Sequence, residues 1–169
     1  MINTKGLSKK PARAVAAHRR SAQRDVKKAG SGVVRYYIHG PMGKITFPTS
    51  MLVEVLRVGL PVGELNDLQA TLAVPMEKLV PMLGISKATL HRRKAAGRLD
   101  QAESDRVLRF ARLMGRAVQV LESEENARRW LTSPQFGLGG AVPLEYAETE
   151  VGAREVEDLL GRIEFGVYS

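Results

Sequence analysis

From Thr49 onward, apolar positions recur at helical spacing. Leu52, Val53 and Leu56 form a short face closed by Gly59 and Pro61, and Val62, Leu65, Leu68 and Leu72 form a second. Met76, Leu79, Val80 and Leu83 follow at i, i+3, i+4 and i+7, with Pro75 ahead of them at a first-turn position. Pro81 falls inside this third pattern, where it removes an amide donor and should shorten or kink the helix. The longest stripe runs through Val107, Phe110, Ala111, Met114, Val118 and Leu121, behind Asp100 and Glu103 at capping-box spacing. It suits a core or a dimer seam equally. Two short faces follow: Ala127, Trp130 and Leu131, stopped by Pro134, then Val156, Leu159, Leu160 and Ile163. Trp130 reads as a core residue before it reads as a binding hot spot.

Upstream of Thr49 the pattern changes. Val34, Tyr36 and Ile38 alternate as on one face of a strand, with Gly40 to Gly43 as a turn, so residues 33–48 read as a short hairpin or a linker. A lone hairpin is marginal and must dock elsewhere. Residues 1–32 are poor in large apolar groups and end in Gly-Ser-Gly, which reads as a flexible basic arm that either lies along phosphates or merely solubilises. The expected fold is therefore mainly α. A helix-turn-helix region over 49–105 precedes a small helical domain over 106–169, with room for one short β-hairpin near the N-terminus.

Charge adds a second axis. The net charge of the 169 residues is +8, and residues 1–32 alone hold nine Lys or Arg against one acid, Asp25. The rest is polarised: residues 78–116 carry ten basic and three acidic groups, whereas 122–169 carry four and ten. A basic middle suits a polyanion and an acidic end suits a different partner. The absence of cysteine excludes disulfides, thiolate metal sites and thiol nucleophiles, and fits a reducing compartment. No apolar run approaches the roughly 18 residues of a membrane span, so a cytoplasmic protein without a membrane partner is expected. An organelle transit peptide is the minor alternative for the arginine-rich start.

The most basic helix is "GISKATLHRRKAAGR", residues 84–98, with five Lys or Arg, one His and no acid. Gly84 breaks the preceding helix, Ser86 stands at the N-cap position, and Ile85 against Leu90 makes a hydrophobic staple. Gly97 supplies the stop. A helix, a glycine-containing turn and a capped basic helix together have the organisation of a helix-turn-helix, whose second helix enters the major groove. Ser86, Lys87, Thr89, His91, Arg92, Arg93 and Lys94 are the candidate DNA-binding residues. Lys87 and Thr89 sit where base edges are usually read, Arg92 has the reach and fork for guanine, and Arg93 and Lys94 suit phosphates. The competing reading is a helical hairpin with a solvated basic face. Arg106, Arg109, Arg112 and Arg116 either extend the phosphate track or form a solvated face.

Enzymatic readings find no constellation. His18, His39 and His91 are scattered, which leaves zinc and Ser-His-acid chemistry without support, and no cofactor is expected. "GPMGKIT" lacks the first glycine of a phosphate loop and is followed by Pro48, and "GLGG" lacks the third glycine of a dinucleotide fingerprint.

Over about residues 49–169 the chain resembles the Xre/MbcA/ParS antitoxins that pair with RES-domain toxins. The resemblance is carried by "LGISKATLHRR", "WLTSP" and "LGGAVPLEYAETEVGAREVEDLLGRIEFGVYS". It implies a helix-turn-helix that binds the operon's own operator, and a helical C-terminal domain that dimerises and blocks the active site of an NAD-consuming toxin. The implied toxin-binding residues are Gly139, Gly140, Pro143, Leu144, Glu164, Gly166, Val167 and Tyr168. Pro81, and Tyr146 where the family more often has an aliphatic residue, depart from its pattern. Residues 1–48 lie outside it. The implied partners are a RES-domain toxin, double-stranded operator DNA and a second copy of the chain. The alternatives are a helix-turn-helix transcriptional regulator without a toxin, and a nonspecific binder acting through the basic arm.

Overall fold

A computed structural model of the protein describes residues 31–40 and 48–167. The basic arm, the expected hairpin turn and Tyr168 lie outside the described residues, except that Ser31, Gly32 and Gly40 are included. Among the described residues the helices are α1 (Val33–His39), α2 (Thr49–Val58), α3 (Val62–Leu72), α4 (Met76–Met82), α5 (Lys87–Ala96), α6 (Gln101–Leu121), α7 (Glu124–Thr132), α8 (Pro143–Tyr146) and α9 (Glu150–Glu164). A 3₁₀ turn, Phe136–Leu138, separates α7 from α8. Among the described residues the only extended pairing is an isolated bridge between Pro61 and Arg98.

Residues 33–39 correct the strand expectation, because they form a helix. Val34 and Ile38 are four residues apart, a spacing that fits both a period of two and a helical face, and the segment is too short for periodicity to decide. Tertiary partners decide it. Val33, Val34 and Ile38 are buried in the common core, and the carboxylate of Glu64 in α3 accepts hydrogen bonds from Gly32 N at 2.6 Å and Val34 N at 2.8 Å. Glu64 thereby satisfies first-turn amides that no local side chain caps. α1 lies against α6 so closely that a Cβ on Gly115 would sit 2.0 Å from the Tyr37 carbonyl oxygen.

One hydrophobic core runs through the described residues, from Val33 in α1 to Leu160 in α9. Its centre is α6, whose Val107, Phe110, Ala111, Leu113, Met114 and Ala117 are fully buried. The apolar stripe therefore serves the core. Asp100 and Glu103 close the expected capping box at the start of α6. This helix spans the expected domain boundary at 105/106, so the two halves share it.

α4 keeps Pro81 in its last turn and is only seven residues long. The turn after it is closed by Gly84 N to Pro81 O at 2.7 Å and Ile85 N to Val80 O at 3.0 Å, with Gly84 at φ 64°. On the far side of α5, Leu99 N donates to Leu60 O at 2.9 Å and Val62 N to Gly97 O at 3.1 Å. Both ends of α5 are thus tied to α3 and α4 through backbone.

Candidate functional site

The geometry of α5 follows from its caps. Ser86 Oγ accepts from Thr89 N at 3.1 Å and donates to Thr89 Oγ1 at 3.0 Å. Gly97 adopts φ 76° and returns its amide to Arg93 O, which stops the helix. Ile85 is buried and Leu90 packs partly against the core. Ser86, Lys87, His91, Arg92 and Lys94 are exposed, Thr89 and Arg93 are half-buried, and no residue of the helix is fully buried. Three cations and an imidazole therefore share one shallow outer surface with Ala88 and Ala95, as close approach to a phosphate backbone requires.

Arg93 departs from the expectation of a phosphate contact. Its Nε donates to both carboxylate oxygens of Glu103, at 3.0 and 2.7 Å, and its Nη2 to Asp100 Oδ2 at 2.6 Å. The Glu103 hydrogen bond, the largest influence, raises the affinity of the guanidinium for its proton. The fork is occupied within the chain and braces α5 against the first turn of α6.

Three of the four α6 arginines form neither the phosphate track nor the solvated face that their spacing left open, because each is bonded within the chain. Arg106 donates to the Leu83 carbonyl at 3.1 Å, Arg109 to Glu150 and the Glu148 carbonyl at 3.1 Å each, and Arg116 to Glu164. Of the four, Arg112 is exposed. These side chains join α6 to the turn of α4–α5 and to both ends of α9.

At the other end of the molecule, residues 133–142 form a tightly bonded turn. Gln135 N donates to Ala141 O at 3.0 Å, Gly140 N to Gln135 O at 2.9 Å and Gly139 N to Phe136 O at 2.9 Å. The Gln135 side-chain amide donates to the carbonyls of Trp130 and Ser133 at 2.9 and 3.0 Å. Gly139 and Gly140, both at positive φ and exposed, shape this turn. Pro143 and Leu144 are buried, so they seat α8 on the core and present no surface. Glu164 is engaged by Arg116 across an ion pair of 2.5 Å. Gly166 and Val167 are exposed just beyond α9, and Val167 N returns to Arg162 O at 2.9 Å.

Sequence reasoning missed Phe136, which is completely exposed on the 3₁₀ turn. The signal was present. Phe136 lies off every helical period, in the glycine-rich run "SPQFGLGG", where it has no apolar face to join.

Profiles of known families match both halves. The antitoxin Xre-like helix-turn-helix domain covers residues 51–112, and the antitoxin Xre/MbcA/ParS C-terminal toxin-binding domain covers residues 116–166. The chain is 35% identical over 122 residues to the antitoxin Xre of Yersinia enterocolitica, spanning 71% of this chain and 82% of that protein. It is 33% identical over 130 residues to the antitoxin Xre of Photorhabdus laumondii, spanning 74% and 88%. A "Prs ADP-ribosylating antitoxin" of a Sphingobium species is 26% identical over 127 residues, 69% of this chain and 80% of that protein. A basic, capped helix-turn-helix fused through one long helix to a toxin-binding domain, with relatives matched over most of their length, makes this chain a member of the Xre/MbcA/ParS antitoxin family.

Proposed function

We propose that the protein binds a RES-domain, NAD-consuming toxin and inhibits it by blocking its active site. As a homodimer in the cytoplasm it also binds its own operator through α5 and represses the operon. The observation that carries this reading is the match of residues 116–166 to a toxin-binding domain, joined through α6 to a helix-turn-helix with an open basic face. The name of the Sphingobium relative associates ADP-ribosylation of Prs with such a system, which is chemistry that consumes NAD. Two-fold symmetry would set two copies of α5 about one helical turn of DNA apart, on a palindromic site.

The test is cellular NAD after induction of the toxin encoded beside this chain, with the antitoxin supplied whole or cut after Phe165. The expected result is NAD preserved by the whole chain and lost with the truncated one. NAD that falls equally with both removes the inhibitor role. A neighbour that is harmless alone makes the protein a plain helix-turn-helix regulator.

A further inference from the structure

We propose that Phe136 is the aromatic anchor of the toxin interface, inserted into an apolar pocket on the toxin's surface. This rests on the antitoxin reading above and names the residue that carries the contact. Phe136 has a relative exposure of 100%, the highest among the exposed large hydrophobic side chains of the described residues. An isolated exposed apolar side chain is ordinary on a soluble protein; the mounting of this one is not. Backbone bonds close the turn on both sides of the ring, and the Gln135 amide ties it back to the end of α7. Gly137 approaches α9 so closely that a Cβ there would sit 2.6 Å from Leu159 Cδ1. The ring is thus held out from a braced support, so docking it costs little ordering of the chain, which is the condition under which an aromatic contributes most to binding. Gly139 and Gly140, expected to touch the toxin themselves, act as the mount that presents it.

The occupant follows from position. Phe136 lies inside residues 116–166, which match a toxin-binding domain. Phe165 is 77% and Val167 53% exposed beyond the end of α9, and α9 carries Leu159, against which the Phe136 turn rests. These residues supply further apolar surface toward the tip of the chain.

The experiment measures binding of the full chain and of Phe136→Ala and Phe136→Trp to a catalytically inactive form of the toxin encoded beside it, by titration calorimetry. Light scattering gives the oligomeric state of each variant. The ring touches nothing that the fold needs, so Phe136→Ala should keep the thermal midpoint and operator affinity of the parent. Its affinity for the toxin should fall about 30-fold or more, and Phe136→Trp should retain most of it. Equal toxin affinity in parent and Phe136→Ala overturns the anchor and leaves the antitoxin reading intact. A parent that binds no toxin overturns both. A Phe136→Ala variant that loses self-association and keeps toxin affinity assigns the ring to a second copy instead, and overturns the proposal.

Discussion

The guanidinium of Arg93 in α5 is held by the carboxylate of Glu103 in the first turn of α6, with Nε 3.0 and 2.7 Å from the two carboxylate oxygens. The same carboxylate accepts from Asp100 N at 2.8 Å and so closes the capping box of α6. One buried acid therefore starts the central helix and orients the basic helix α5. Glu103→Ala should cost about 1 kcal/mol from the lost cap alone, with a further loss from releasing Arg93. Arg93→Ala should lower the thermal midpoint and weaken operator binding without changing the salt dependence of that binding. A slope shallower by about 0.9 would make Arg93 a phosphate contact after all.

Arg92 and Lys94 are both exposed on α5, and their substitution should separate base reading from phosphate binding. Arg92→Ala should cost about 1–3 kcal/mol on the cognate operator and relax preference at one base pair. Lys94→Ala should weaken binding to all duplexes alike and reduce the salt slope by about 0.9. Fluorescence anisotropy with the protein's own promoter and a scrambled duplex distinguishes these. If neither change alters affinity, α5 does not read DNA.

Gly115 marks the closest approach of α1 to α6. A methyl group there would meet the Tyr37 carbonyl at 2.0 Å, so backbone must move. In an isolated helix glycine to alanine is favourable by about 1 kcal/mol; here Gly115→Ala should destabilise by about 1–3 kcal/mol because it overpacks the contact. Urea unfolding gives the sign. A stabilised variant would show that α1 does not hold this position.

Glu64 is buried beneath α1, and desolvation raises its carboxyl above the ordinary value of 4.5 even though Gly32 and Val34 donate to it. A raised acid binds its proton more tightly in the folded state, so its contribution to stability is full below 4.5 and is lost as pH rises through the raised value. The stability of the parent relative to Glu64→Gln, which does not titrate, should therefore fall with rising pH across that window. Denaturant midpoints from pH 4 upward test this. A rising difference would mean that the two amide donors outweigh burial.

The contrast between what was legible and what was not follows the range of the interactions. The Ser86 cap, the Gly97 stop and the Asp100–Glu103 box are contacts within a few residues, and each is found where its spacing places it. The α6 stripe was equally readable, because burial along a 21-residue helix repeats often enough to exclude a strand. The seven residues of α1 could not be read this way, since Val34 and Ile38 satisfy either period. Similarly, Arg93 and Lys94 are neighbours of like charge in one basic run. Only the arrival of Glu103 ten positions later makes one a brace and leaves the other exposed.

The amino-acid sequence by itself determined the helical class, the capped basic helix, the acidic segment 122–169 and the family, because periodicity, caps and net charge are local or additive properties of the chain. Tertiary structure alone decided that residues 33–39 are helical under a cap from Glu64, and that three of the four α6 arginines join helices together. It also decided that Pro143 and Leu144 turn inward. Those outcomes depend on which groups meet across dozens of residues, and a buried charge or an unpaired ring takes its role from the partner it finds there.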